Sequence, residues 1–191
     1  EINKGSGKSW TAAFADAMID LAKSDPRVVA LTAAMPDGTG LSKFEKEIPG
    51  RYYDTGICES HLAAMAAGMC KSGMRPFAAI YSTFMQRAFD QVWQEIALNG
   101  LPVVFCMDRA GFVGDDGAVH HGFMDISMFK ALPGIVMLAC SDEPTLKLGL
   151  EFMRQYDAGA SVIRYPRDNV AETPLQANPV PFELGKGVFI K

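Results

Sequence analysis

Four clusters of polar residues stand directly after apolar runs, and their residue types are those of proton transfer and anion binding. Asp54, Glu59 and His61 follow Tyr52-Tyr53, while Ser82, Thr83, Gln86 and Arg87 follow the run that ends at Tyr81. Asp108, Arg109, Asp115, Asp116, His120 and His121 follow Met107, and Arg164, Tyr165 and Arg167 follow Val162-Ile163. Carboxylates and imidazoles move protons near neutral pH, and guanidinium forks match phosphate oxygens. If the four apolar runs are strands of one sheet, their ends bring these groups to one edge. A catalytic cleft at that edge is the reading of the residues themselves.

Each group also has a plain structural reading. Glu59 suits the first turn of a helix, where the dipole favours a carboxylate. Phe84, Phe89 and Trp93 share one helical face and fit a core stripe. Arg109 and Arg167 can be read as surface charges. Asp115, Asp116, His120 and His121 lack a recognised ligand spacing, so no metal is expected there. Gly5-Ser6-Gly7-Lys8-Ser9 is not a phosphate loop, because Ile2 stands where that motif needs a glycine and no apolar strand precedes it. No Ser-His-Asp arrangement can be singled out.

The elements that must position these groups alternate along the chain. Ser9 is placed to cap a helix that presents Phe14, Ala17, Met18 and Leu21 on one face. Apolar runs at 28–31, 51–54, 76–81, 102–107, 134–139 and 161–164 read as strands. Between them stand helices at 60–71 (ended by Gly73), 83–98 (capped by Gly100) and 142–156, and a long polar loop at 108–122. Strands apolar on both faces, alternating with helices, predict an α/β fold: a doubly wound, mostly parallel sheet with helices on both faces. Such sheets bind ligands at the carboxyl ends of their strands. The expected organisation is a flexible end at 1–8, a folded domain at 9–172 and an extended linker towards a further domain at 173–191, with strand-like residues at 187–190.

Composition narrows the function class. The 191 residues are 49% hydrophobic and 21% charged, enough apolar material for one packed domain. A net charge of -4 lacks the basic footprint of a nucleic-acid binder. Cys58, Cys70, Cys106 and Cys140 form no CxxC pair and read as reduced thiols of a cytoplasmic protein. No apolar run approaches the ~18 residues that span a bilayer, and no signal peptide opens the sequence.

Four segments carry a family likeness. Asp54-Thr55-Gly56-Ile57-Cys58-Glu59-Ser60-His61 resembles the DxGIxExH block of thiamine-dependent transketolase-like enzymes. Tyr81 to Arg87 with Asp90-Gln91 is similar to a YSTFxQRxxDQ block, and Asp108 to Gly122 to DRAGxVGxDGxxHxG. Arg164-Tyr165-Pro166-Arg167 matches RYPR. The first block is shared with transketolases and pyruvate dehydrogenase beta subunits, whereas the other three together resemble the 1-deoxy-D-xylulose-5-phosphate synthase family and its central pyrimidine-binding domain.

That resemblance implies a cofactor, thiamine diphosphate, and a transferase reaction in which pyruvate and glyceraldehyde 3-phosphate give 1-deoxy-D-xylulose 5-phosphate and carbon dioxide. It implies that Glu59 hydrogen-bonds the aminopyrimidine N1′, a task that a carboxyl in a water-poor pocket can perform. Ile57, Phe84 and Arg87 take the remaining cofactor positions, with Phe84 stacking on the pyrimidine. Tyr81, Arg109 and Arg167 match the positions that hold the acceptor's phosphate, and Asp116 and His120 the pair that meets the incoming aldehyde, with His120 relaying protons. The family's diphosphate-binding GDG block and its Mg2+ ligands do not occur in this sequence. The expected partners are therefore a diphosphate-binding domain and a second copy in a homodimer. Cys58, Ser60 and His121 depart from the family pattern without touching these roles. The alternatives are a beta-subunit-like domain of another transketolase or 2-oxoacid dehydrogenase, which would need no triose-phosphate pocket, and a non-catalytic module that kept the fold.

Overall fold

Strand faces alternate in apolar character on both sides, and the sheet that results is covered on both sides. The computed structural model describes residues 7–173 and 179–187; residues 1–6 of the expected flexible end and 188–190 of the expected strand lie outside them. Strands β1 (Val28–Thr32), β2 (Tyr52–Asp54), β3 (Arg75–Tyr81), β4 (Val104–Asp108), β5 (Val136–Ala139) and β6 (Ser161–Arg164) form one sheet in the order β2-β1-β3-β4-β6-β5. Every pairing in it is parallel.

Because side chains alternate across a strand, each buried strand feeds two cores. Val28, Ala30, Phe77, Ala79, Val104, Cys106 and Ile163 point to one face, where α1 (Trp10–Ser24), α2 (Leu41–Glu47) and α6 (Glu143–Gln155) supply Phe14, Met18, Phe44, Leu146 and Leu150. Val29, Leu31, Ala78, Ile80, Phe105, Met107 and Val162 point to the other, against Leu62, Ala63 and Ala66 of α3 (Glu59–Lys71) and Phe129 of α5 (Met124–Phe129). Ser9 caps α1, its side chain accepting from the Ala12 amide at 3.1 Å. Asp142 and Thr145 form a capping box at the start of α6.

Two expectations change in detail. The helix expected over 83–98 is a 3-10 turn at Phe84–Ala88, a short α4 (Phe89–Gln91) and a π-helical run at Val92–Ala97. Its widened turns, such as Leu98 N–H to Trp93 O at 3.1 Å, keep Val92 and Ile96 on the buried side with Met85 and Ala88. The polar loop after β4 contains two 3-10 turns and is followed by α5, which the hydropathy pattern did not indicate. The apolar face of α3 is covered within the chain, and the exposed large apolar side chains include Phe112, Val119, Phe123, Met124 and Ile126.

β1 runs out to β2 on one side, whereas β3 and β4 continue on the other. The sheet order therefore reverses between the carboxyl ends of β1 and β3, the place where open α/β sheets hold ligands.

Candidate active site at the sheet's carboxyl edge

Glu59 is the first residue of α3 and is buried. Arg87, on the 3-10 turn after β3, donates from Nη1 to Glu59 Oε1 at 2.6 Å. The Arg87 side chain is largely exposed while that of Glu59 is not, so the arginine closes the solvent side of a carboxylate that the fold would otherwise leave unpaired. The Arg87 guanidinium also lies 5.2 Å from the centroid of the Phe84 ring, a cation–π distance. Ile57, in the loop that delivers Glu59, projects into solvent, with 77% of its surface exposed.

Phe84 stacks on Tyr81 with ring centroids 5.7 Å apart. The edge of His120 meets both rings, at 5.5 Å from Phe84 and 6.4 Å from Tyr81. His120 Nδ1 lies 2.8 Å from the Asp116 carbonyl oxygen. A carbonyl only accepts, so Nδ1 carries the hydrogen and the neutral ring keeps Nε2 as a base. Burial raises the Tyr81 phenol above its ordinary value, against the lowering effect of Arg109.

Beyond Tyr81 the arginines begin. The Arg109 guanidinium lies 4.0 Å from the centroid of the Tyr81 ring. Its Nη1 donates to the Gly38 carbonyl at 2.6 Å and meets Asp108 Oδ1 at 3.0 Å. Asp116 joins both arginines, with Arg109 Nε 3.5 Å from Oδ2 and Arg167 Nε 2.9 Å from Oδ1. Between them opens a cleft of about 460 Å³ bordered by Thr11, Gly38, Arg109 and Arg167. Gly38 must lack a side chain, because a Cβ there would overlap the Tyr81 hydroxyl.

An unbroken line of contacts therefore runs Glu59, Arg87, Phe84, Tyr81, Arg109, Asp116, Arg167, with His120 against its middle. Eight of the nine candidates lie on this line or against it, although four separate strand ends supply them, while Ile57 stands exposed two residues before Glu59. Thr11 and Gly38 also border the site, which nothing in the sequence marks, and Asp108, one of the polar residues that follow Met107, joins them. Asp108 ends β4, is fully buried, and accepts from Thr11 Oγ1 at 2.9 Å across 97 residues of sequence. Burial pushes its carboxyl up to about 6, while the Arg109 charge and the hydrogen bonds from Thr11 and Arg109 pull it down. Asp54 and His61 take no part: Asp54 Oδ1 binds the Ala34 and Gly56 amides, and His61 is exposed. Among the described residues, no group of three or more His, Cys, Asp or Glu side chains is placed to hold a metal ion, and no helix is long and apolar enough to cross a membrane.

The family model described as "Transketolase, pyrimidine binding domain" matches residues 6–173. The chain is 45% identical to the 1-deoxy-D-xylulose-5-phosphate synthase of Gloeobacter violaceus over 99% of its own length and 30% of that protein's. It is also 45% identical to 1-deoxy-D-xylulose-5-phosphate synthase 1 of Geobacter sulfurreducens, over 98% of its own length and 29% of the relative's. It thus spans less than a third of these relatives. Among solved structures, the inactive beta4 tetramer of a split-gene transketolase superposes with a TM-score of 0.84 at 28% identity, covering 97% of this chain and 60% of that one. The transketolase from Leishmania mexicana shares the fold, with a TM-score of 0.76 at 18% identity over 88% of this chain and 27% of its own.

Proposed function

Because this chain belongs to the transketolase pyrimidine-binding domain family, we propose that it forms the aminopyrimidine and acceptor side of a 1-deoxy-D-xylulose-5-phosphate synthase active site. The observation that carries the reading is the single line of contacts from the buried Glu59 to the Arg109–Asp116–Arg167 cluster. A carboxylate, an aromatic face at Phe84 and an exposed apolar Ile57 fit an aminopyrimidine, which is flat, apolar on its faces and polar at its edge. Thiamine diphosphate, when bound, supplies a nucleophilic carbon and an electron sink. The Mg2+ and diphosphate ligands belong to a diphosphate-binding domain outside this chain.

The chain's own residues divide the remaining work. Glu59 holds a proton at the pyrimidine edge, and Arg87 fixes the direction of its carboxyl. Phe84 and Ile57 cover the ring and exclude water. The guanidinium groups of Arg109 and Arg167 offer paired N–H donors to the phosphate of glyceraldehyde 3-phosphate, with Asp116 bridging them until it arrives. His120, with Nε2 free to accept, takes and returns the proton of the acceptor's oxygen as pyruvate's two-carbon unit is joined to it and carbon dioxide leaves. The exposed Phe112, Phe123, Met124 and Ile126 form an apolar surface of the kind that partners cover, which supports docking of the diphosphate-binding domain and of a second copy.

The test is the Glu59→Gln substitution in the complete enzyme that carries this chain. Exchange of the thiazolium C2 proton should fall at least a hundredfold, within the usual reach of acid–base catalysis, and product should vanish with it. Exchange at the wild-type rate would remove Glu59 from the chemistry and the reading with it.

A further inference from the structure

We infer that the Asp108 carboxylate and the Thr11 hydroxyl together form a buried seat that aims the Arg109 guanidinium into the acceptor cleft. Both are positioning residues, and the inference rests on the reading that Arg109 binds the acceptor's phosphate.

A fully buried carboxylate is costly unless charge and hydrogen bonds satisfy it, and the Asp108 carboxylate finds both at Arg109 and at the Thr11 hydroxyl beside it. Oδ1 accepts the Arg109 amide at 2.7 Å and lies 3.0 Å from its Nη1. Oδ2 accepts from Thr11 Oγ1 at 2.9 Å, and that hydroxyl in turn lies 3.3 Å from Arg109 Nη1. The local backbone is shaped for this purpose. Arg109 sits at φ 60, in the left-handed region that non-glycine residues rarely enter, and the Asp108 carboxylate bonds the amide of that turn. Such a conformation persists only where the surroundings impose it.

The restraints are also one-sided. Nη1 is taken by Asp108, Thr11 and Gly38, and Tyr81 lies against the flat face. Nη2 makes no hydrogen bond among the described residues, and the buried Nε lacks a hydrogen-bond partner, with Asp116 Oδ2 3.5 Å away. The edge left without a hydrogen bond is the Nε–Nη2 fork, the edge with which a guanidinium binds two phosphate oxygens. Asp108 thus spends its charge on the edge that is not used for binding.

The experiment compares glyceraldehyde 3-phosphate with unphosphorylated glyceraldehyde in the complete enzyme, and measures the affinity for unreactive glycerol 3-phosphate by calorimetry. Thr11→Val keeps the shape and removes the hydroxyl, and Thr11→Ser restores it. Thr11→Val and Asp108→Asn should each lower the preference for the phosphorylated acceptor about tenfold, the scale of one hydrogen bond to a charged group. Thr11→Ser should return it to within twofold of wild type, and glycerol 3-phosphate affinity should follow the same order. On top of Arg109→Ala, Asp108→Asn should change the preference less than twofold, because it acts only through that arginine. If Arg109→Ala destroys the preference while Thr11→Val leaves it intact, the seat is not a positioning device and the inference fails alone. If Arg109→Ala itself leaves the preference intact, the acceptor-phosphate reading fails and takes the inference with it. Should Asp108→Asn not fold, the Thr11 pair still decides.

Discussion

Arg87 Nη1 lies 2.6 Å from Glu59 Oε1, although 28 residues separate them and only Glu59 is buried. The pair ties the start of α3 to the turn after β3. It also sets the direction of the carboxyl that the proposed chemistry needs. Exposure of the arginine weakens the attraction by solvent screening, so a double-mutant cycle of Glu59→Gln and Arg87→Met in urea unfolding should give a coupling of about 1 kcal/mol or less. A coupling indistinguishable from zero would make Arg87 a guide to direction with no share in stability.

The two cleft arginines should act on binding of a group that does not react. Arg109→Ala or Arg167→Ala in the complete enzyme should raise the KM for glyceraldehyde 3-phosphate roughly ten- to a hundredfold, since a hydrogen bond to a charged group contributes about 1.5–3 kcal/mol. Unphosphorylated glyceraldehyde should be affected far less. Equal losses with both acceptors would assign the arginines to structure.

Gly122 closes the loop that carries Asp116 and His120, exchanging backbone hydrogen bonds with Gly111 at 2.8 and 2.9 Å. A Cβ at Gly122 would stand 2.5 Å from both the Arg109 carbonyl and Ser82 Oγ. Gly122→Ala must therefore move the loop away from the ends of β3 and β4. It should destabilise the chain by about 1–3 kcal/mol, the usual cost of overpacking, read as a lower Tm, and should weaken glycerol 3-phosphate binding. An unchanged Tm would mean that the loop shifts without resistance.

Two carboxyls give opposite pH dependences. Asp25 is nearly buried, and the hydrogen bonds from Arg27 and Arg154 hold it well below the usual carboxylate range, in spite of burial. Its folded-state value lies below its unfolded one, so the stability it contributes is present above about pH 4 and drains away as pH falls below that. Asp108 is raised to about 6. There the unfolded chain releases the proton first, and stability declines as pH rises from about 4 to about 6. Unfolding free energies between pH 3 and 7 should show the acid loss shrink in Asp25→Asn and the decline above pH 4 shrink in Asp108→Asn. Parallel curves for wild type and both variants would contradict the assignments.

What the sequence made legible was periodic or local. The continuous apolar runs at 28–31 and 102–107 fall on strands whose residues are all buried, Val28–Thr32 and Val104–Asp108, so they read as inner strands without any knowledge of their neighbours. Polar residues directly after such runs then had to meet at one edge. Pairing was invisible. Nothing near Thr11 marks it as the partner of Asp108, because the contact exists only once α1 crosses the end of β4. The irregular run at 84–97 was read as a plain helix, since its buried positions keep helical spacing while its hydrogen bonds do not. Short α5 escaped because its exposed Met124 and Ile126 give no one-sided pattern.

The junction at the start of α1 has a consequence for the order in which the chain can fold. The Trp10 amide donates to the Asp168 carbonyl at 3.0 Å, the Val170 amide to the Lys8 carbonyl at 2.9 Å, and Ser9 bridges Asn169. Residues early in this domain are thus stitched to residues some 160 positions later. During synthesis the helix that carries Thr11 must wait, its first turn unanchored, until β6 and the segment beyond it leave the ribosome. The cleft is therefore among the last parts to form, and a nascent chain stopped before Asp168 would hold a sheet without a finished site.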